Sequence, residues 1–259
     1  RFIVSLGNRR DVEQIGVSLT TSNDVLGRSF ASSSFFSSGT NNKLTNVNLT
    51  NLGFEIEPVK NLVFESSFSY RTLSSASSEF KLDYFTDNTF TTTSDKITQS
   101  EINFLVNYTP KRKMVGYGVD RIDVDLNYPR FFISYSHGLK GVFESDFNYS
   151  KLQLYYRQPL LIGGFGRLFS TLEIGKTFGA VPLSLMGIIP GNQSYFIIDN
   201  TYNLLNYYDF VADQYTSLHL EHNFNGKLFA RVPLLRKLNW REIIGVKAVY
   251  GSVSDENIA

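Results

Sequence analysis

The chain has 259 residues, enough for one large or two small domains. It carries 25 Lys and Arg against 24 Asp and Glu, and its longest basic run is Lys111-Arg112-Lys113, so a nucleic-acid groove has no electrostatic footprint. The absence of cysteine removes disulfides, thiolate zinc sites and thiol nucleophiles, and three histidines supply few metal ligands. Aromatic residues make up 15% and charged residues only 19%, a balance that favours strands, so the expected fold class is all-β.

No apolar run approaches the roughly 18 to 20 residues that a spanning helix needs. Stretches such as Leu160-Leu161-Ile162 stop within a few residues. A transmembrane β-barrel crosses instead with segments of about ten residues of alternating polarity, and its wet lumen makes the average mildly hydrophilic. The mean hydropathy of −0.13 fits that arithmetic. The opening Arg1-Phe2-Ile3-Val4 lacks the charged and apolar regions of a signal peptide. An exported protein needs one, so the expectation is an incomplete chain, a single barrel domain over 1–259.

Taken in order, period-two alternation predicts twelve strands near 2–8, 14–21, 44–56, 61–71, 79–88, 97–108, 117–126, 131–138, 147–157, 166–177, 214–224 and 240–251. Leu62, Phe64, Phe68 and Tyr70 alternate with Val63, Glu65, Ser67 and Ser69. Ile102, Phe104 and Val106 alternate with Glu101, Asn103, Leu105 and Asn107, and Ile122, Val124 and Leu126 with Asp123 and Asp125. Those six apolar residues are the expected lipid-facing set. The links Asn8-Arg9-Arg10, Glu57-Pro58-Val59-Lys60 and Asn127-Tyr128-Pro129-Arg130 read as tight turns at one end, with the long spans 22–43 and 178–213 at the other. Links 158–165 and 225–239 are long for the turn end. Phe68, Tyr70, Tyr108, Tyr128, Tyr149, Tyr155, Tyr156 and Tyr250 lie near strand ends, where an aromatic girdle would sit. Alternation also describes a soluble sandwich or lipocalin-like barrel with its polar face outward, and that alternative stays open.

Chemistry finds little support. His219 and His222 lie three residues apart on a predicted strand and so point to opposite faces, which argues against a metal site. Asp123 and Asp125 share a face and are better explained by a polar lumen than by acid–base catalysis. No Gly-x-Ser-x-Gly elbow exists, and Gly163-Gly164-Phe165-Gly166 matches no phosphate loop. No catalytic, cofactor-binding or metal-binding residue is expected, and none of the four Asn-x-Ser/Thr sequons is given weight. Span 178–213 is too rich in Leu, Ile, Tyr and Phe for a solvated loop, so it is expected to pack inside the lumen or against another chain. Phe224 to Leu238 mixes apolar and basic residues, as a short amphipathic segment at a lipid surface does.

Pro190-Gly191-Asn192, Tyr202-Asn203-Leu204-Leu205-Asn206, Asp209-Phe210-Val211-Ala212-Asp213-Gln214-Tyr215, Glu221 to Gly226 and Val232 to Arg241 resemble a Bacteroidetes outer-membrane family. Its members carry a carboxypeptidase-regulatory-like domain ahead of a barrel and are distantly similar to BamA/TamA-type assembly barrels of the surface antigen superfamily. The resemblance implies a transmembrane antiparallel up-and-down β-barrel, about twelve strands visible of about sixteen, with N-terminal periplasmic domains and the last strands missing from the chain. It also implies that 178–213 is the external loop folded into the lumen, with Pro190, Gly191, Asn192, Tyr202, Asn203, Asn206, Asp209 and Phe210 as its residues. The superfamily's Val-Arg-Gly-aromatic loop motif is missing, since no Arg occurs between Arg167 and Arg231. The resemblance further implies a non-enzymatic role in inserting or translocating envelope proteins in the outer membrane of a Gram-negative bacterium, with no cofactor. Its partners would be outer-membrane lipid and other outer-membrane or periplasmic proteins, and no nucleic acid. A passive channel or structural barrel is the main alternative, and a soluble β-barrel binding a small apolar ligand the second.

Overall fold

The computed structural model describes residues 2–13, 43–86, 92–116, 122–125, 127–192, 195, 201–206 and 208–257. Nine long strands form one sheet: β1 Phe2–Glu13, β2 Thr45–Val59, β3 Leu62–Ser75, β4 Lys96–Tyr108, β5 Arg130–Gly138, β6 Tyr149–Leu161, β7 Arg167–Phe178, β8 Gln214–Asn223 and β9 Ile243–Ser252. Each is antiparallel to the next in chain order, which makes an up-and-down meander with β1 and β9 at its edges. Among the described residues the sheet thus has nine strands where twelve were expected, and β1 and β9 are not paired with each other.

Of the three strands not found, 14–21 lies outside the described residues. The described part of 79–88, residues 79–86, forms only a two-residue ladder, in which Tyr84 and Phe85 face Ser94 and Thr93. Its alternation has another origin, because Leu82 is buried against Val47, Leu73 and Ile97 as the link folds back over the sheet. The described part of 117–126 likewise holds only Ile122–Asp123, paired with Met114–Val115 in the link between β4 and β5. These two losses cancel in strand parity. Links 57–61, 127–130, 162–166 and 224–242 therefore share the turn end, and 139–148 and 179–213 share the loop end, as expected.

Three boundaries move for local reasons. Asn8-Arg9-Arg10 is not a turn, because β1 continues to Glu13 in register with β2; an edge strand accommodates charged side chains. β6 runs past Arg157 through Pro159 to Leu161, since β5 has ended there and a proline is tolerated beside a single neighbour. That extension shortens the apparent 158–165 link to five residues. At the tight turn, Asn61 takes φ 67°, a region asparagine tolerates, and its carbonyl accepts from Thr109 N–H at 2.9 Å.

Register divides the sheet into two unlike faces. One row crosses all nine strands as Phe2, Ile56, Phe64, Val106, Ile133, Leu154, Ile174, Thr216 and Tyr250. The row above it includes Val4, Phe54, Phe104, Tyr135 and Leu152. This apolar face is uncovered: Phe104 is 50% exposed and Leu6 78%. On its turn side Tyr108, Phe131 and Tyr156 stack in sequence, with ring centroids 6.1 and 4.7 Å apart. The opposite face reads Ile3, Glu55, Glu65, Leu105, Ser134, Gln153, Gly175, Tyr215 and Gly251 along one row. The core lies at the loop end of this second face, where Leu185, Met186 and Val181 cover Val47, Leu73, Ile97 and Tyr149.

Candidate functional site

The polar face and the link folded onto it form the candidate site. Ile189, Tyr202, Ala212 and Tyr215 make a buried apolar cluster between link and sheet, with Leu205, Phe210 and Val249 around it. The Tyr202 hydroxyl donates to the Ala248 carbonyl at 2.8 Å and accepts from the Ser217 hydroxyl at 3.0 Å. Its ring packs edge-on against His219, and Lys247 Nζ donates to the Thr201 carbonyl at 2.8 Å. The link is thus tied to β8 and β9 by polar bonds as well as by burial.

A second tie sits at the rim. Asp213 Oδ2 accepts from the Ser254 N–H at 2.9 Å, the Asn257 amide at 3.0 Å and the Ser254 hydroxyl. Asn257 Oδ1 in turn accepts from the Val181 N–H at 2.8 Å, so one carboxylate joins both ends of the link to the residues after β9. Burial works to raise the Asp213 pKa, but the Ser254 and Asn257 donors prevail and hold it below the ordinary carboxylate value.

Within the face, two tyrosines repeat one device. Tyr149 on β6 lies across Gly138 on β5, accepts from Arg71 Nη2 at 3.3 Å and donates to Glu101 on β4. Tyr215 on β8 lies across Gly175 on β7, donates to Glu173 Oε1 at 2.7 Å and accepts from Gln153 on β6 at 3.1 Å. Glycine is required beneath each ring, since a Cβ at 138 or 175 would fall 2.5 or 2.4 Å from ring carbons. Each hydroxyl reaches a strand or residue that its backbone does not adjoin and satisfies a carboxylate on a face where a bare charge would be costly. Neither tyrosine belongs to an aromatic girdle. Tyr149 and Tyr155 are buried on the polar face, and Tyr128 packs in the turn-end link, whereas Phe68, Tyr70, Tyr108, Tyr156 and Tyr250 do project from the apolar face. A glycine inside a predicted strand is the sequence signal that would have found the pairs.

Tyr215→Phe should lower stability by about 1–3 kcal/mol, the usual effect of removing one partner from a buried charged acceptor. Gly175→Ala should cost more, because the ring itself must leave. Denaturant titration of the refolded protein measures both, with Tyr250→Phe as an exposed control. If Tyr215→Phe behaves like the control, the buried bond contributes nothing.

Below the link the polar face opens into a cavity of about 490 Å³ lined by Arg71, Glu101, Asn103, Lys151, Gln153 and Glu65. Both charge signs meet there. Arg71 Nη2 stands 3.7 Å from Glu101 Oε2, and Asn103 bridges Ser69 and Ser136 at 3.0 and 2.6 Å. Water and ions fit this lining better than an apolar ligand does.

Asp123 and Asp125, expected to share a lumen-facing side, are divided. Asp123 accepts both Arg112 Nε, at 2.6 Å, and Arg112 Nη2, at 3.2 Å, together with the Tyr128 hydroxyl at 2.9 Å, whereas Asp125 accepts from the Asn127 N–H. The Arg112 bond foremost, opposed by burial and helped by Tyr128, holds Asp123 below the ordinary carboxylate range. This cluster stiffens the turn-end link rather than facing a lumen. His219 and His222 do project to opposite faces, His222 toward the Phe165 carbonyl at 2.9 Å.

The expected site residues separate as follows. Ile102, Phe104 and Val106 share the apolar face. Ile122 and Val124 lie in the turn-end link and not on a strand of the nine-stranded sheet, and Leu126 is outside the described residues. In the folded link, Gly191 bridges Tyr202, and Asn192 Nδ2 donates to Asn203 Oδ1 at 3.1 Å beside Pro190. Asn206 donates to Asp209 Oδ2 at 2.8 and 3.0 Å, and Phe210 accepts from the Ile189 N–H. Tyr202 is buried against the sheet and Gly191 against the link's own Leu205 and Asn206 backbone, whereas Asn203, Asn206 and Asp209 are exposed. No described helix is long and apolar enough to cross a membrane.

The profile described as "Family of unknown function (DUF5686) C-terminal domain" matches residues 24–256. The chain belongs to this DUF5686 C-terminal domain family. No curated protein matches it. Among solved structures, BamA from Haemophilus ducreyi lacking POTRA domains 1-3 is similar at TM-score 0.45 and 11% identity, over 80% of this chain. The match spans 42% of that chain's length. The described residues of this DUF5686 domain form one large all-β, antiparallel sheet with an exposed apolar face and a polar face covered in part by the link between β7 and β8.

Proposed function

We propose that this DUF5686 domain is part of an outer-membrane β-barrel with the apolar face against lipid and the polar face toward a lumen blocked by residues 179–213. The observation that carries the reading is the uncovered apolar row running across nine strands. A water-exposed sandwich would bury that row and expose the polar one. A lipid-spanning barrel has the opposite polarity. The two-edged sheet would be completed by further strands of the full-length protein.

Within that barrel the role is non-enzymatic. Glu101 and Glu173 are each tied to a tyrosine, and the folded link shields the face on which an open pore depends. The resemblance of the Pro190–Asn192, Tyr202–Asn206 and Val232–Arg241 segments to relatives of assembly barrels supports a part in inserting or translocating envelope proteins, alone or within a larger complex. Loss of the full-length protein should then deplete particular barrels or surface lipoproteins from the outer membrane. An unchanged surface proteome would sink the assembly role and leave the barrel standing. The cavity beneath the link favours, as the second reading, a narrow channel through a barrel of structural function.

Topology tests the barrel itself. Lys60 lies in the tight turn between β2 and β3, and Lys140 lies in the 139–148 link at the opposite end. Both are exposed, whereas Ser145 in the same link is buried and unsuited to labelling. The chain has no cysteine, so Lys60→Cys and Lys140→Cys give single sites. An impermeant thiol reagent on intact cells should mark Lys140→Cys alone. Labelling of both is incompatible with a membrane between them.

A further inference from the structure

We propose that residues 224–241, at the turn end between β8 and β9, form an interfacial foot that binds anionic phospholipid headgroups of the leaflet on that side. The inference rests on the membrane reading above, and four observations on this segment carry it.

The first is charge. Between Glu221 and Glu242 the chain holds Lys227, Arg231, Arg236, Lys237 and Arg241 and no acid, in a protein whose overall charge is +1. The side chains of Arg231, Arg236, Lys237 and Arg241 are exposed and make no ion pair with the described residues. The second is apolar exposure alongside those cations. Leu234 is 83% exposed and Trp240 56%, and Val232 and Leu238 are exposed with them. Water disfavours such a surface, whereas a headgroup layer accommodates both halves of it.

The third is shape. Pro233–Arg236 makes one helical turn, stabilised by the Arg236 N–H donating to the Val232 carbonyl at 2.9 Å, and the Phe229 N–H donates to the buried Glu242 carboxylate. The segment is thus held folded at the sheet end rather than trailing from it. The fourth is position. Lys227 Nζ lies 4.1 Å from the centroid of the Phe165 ring in the β6–β7 turn, and His222 on the apolar face packs its ring 4.2 Å from Phe224. Phe165 is itself exposed, as is Ile162 in the same turn. The apolar face therefore continues into the foot at the level where hydrocarbon gives way to phosphate, and the cations stand where phosphate begins.

Trp240 is the only tryptophan of the chain and so reports on its own position. The full-length protein, with any tryptophan outside this chain replaced by phenylalanine, would be refolded into phosphatidylcholine vesicles with or without phosphatidylglycerol. Brominated acyl chains serve as quenchers, and heat-resistant gel migration reports barrel insertion independently. Trp240 should be quenched about twofold more by bromine near the headgroup than by bromine near the bilayer centre. Phosphatidylglycerol should strengthen the quenching, and about 1 M salt should remove the gain. The combined variant Arg231→Gln, Arg236→Gln, Lys237→Gln and Arg241→Gln should insert normally yet lose the phosphatidylglycerol response. An inserted barrel whose Trp240 stays unquenched, or is quenched equally in both lipids and in the variant, overturns the foot and spares the membrane reading. Failure of the intact protein to insert overturns both.

Discussion

Phe104→Arg lowers the stability of the membrane-inserted protein by about 2–4 kcal/mol, whereas Leu105→Arg, one residue along the same strand, is close to neutral. Phe104 stands on the apolar face of β4, opposite Tyr135 on one neighbour and Ser66 on the other. A guanidinium there must shed its water or drag headgroups toward the midplane. Leu105 points the other way, lines the polar cavity and pairs directly across from Glu65. Arginine at 105 thus enters a wet space and gains a carboxylate neighbour, and Glu65 in turn gains relief from Glu55, the like charge beside it in register. Equilibrium unfolding of both variants in lipid bilayers measures the contrast. Equal losses, or a larger loss for Leu105→Arg, would reverse the two faces and with them the membrane reading.

Replacing residues 183–209 of the full-length protein with a short Gly-Ser linker should convert a poorly conducting barrel into one with large, steady conductance steps in planar bilayers. The ends of the replaced stretch, Pro182 and Phe210, remain near the Asp213–Asn257–Val181 tie, so the linker closes without disturbing the sheet. What is removed is the cover over the polar face, namely Leu185, Met186, Ile188, Ile189 and Tyr202, all buried in the intact protein. Tyr202→Phe should act in the same direction but weakly, because it loses the polar ties to Ser217 and Ala248 while keeping the packing. An intact protein that already conducts strongly would favour the channel reading over a blocked lumen.

Period-two alternation was legible wherever both faces of a strand were long and unlike, as in β3, β4 and β8, because sheet geometry sends successive side chains to opposite sides. In the described parts of 79–88 and 117–126 it did not give a sheet strand, for a shared reason. Leu82 and Tyr84 alternate because a loop packs one side on the core, and Asp123 sits where Arg112 and Tyr128 hold it, so local burial imitated a strand. The aromatics near strand ends divide between the two faces for a related reason. Sequence places a tyrosine near a strand end but does not give its face, and only register turns Tyr156 outward and Tyr149 inward over Gly138.

By itself the sequence determined the all-β class, the polarity of the two faces and the oddness of the 178–213 span, because composition and short-range periodicity carry that information. Tertiary structure alone decided that the span folds onto the polar face, that Tyr149 and Tyr215 reach Glu101 and Glu173 across glycines, and that Asp213 binds Ser254 and Asn257. Those bonds join residues roughly 40 to 50 positions apart through strand pairing, or lie across a register that no local pattern encodes. Their existence depends on which strands become neighbours, a choice made by the whole sheet.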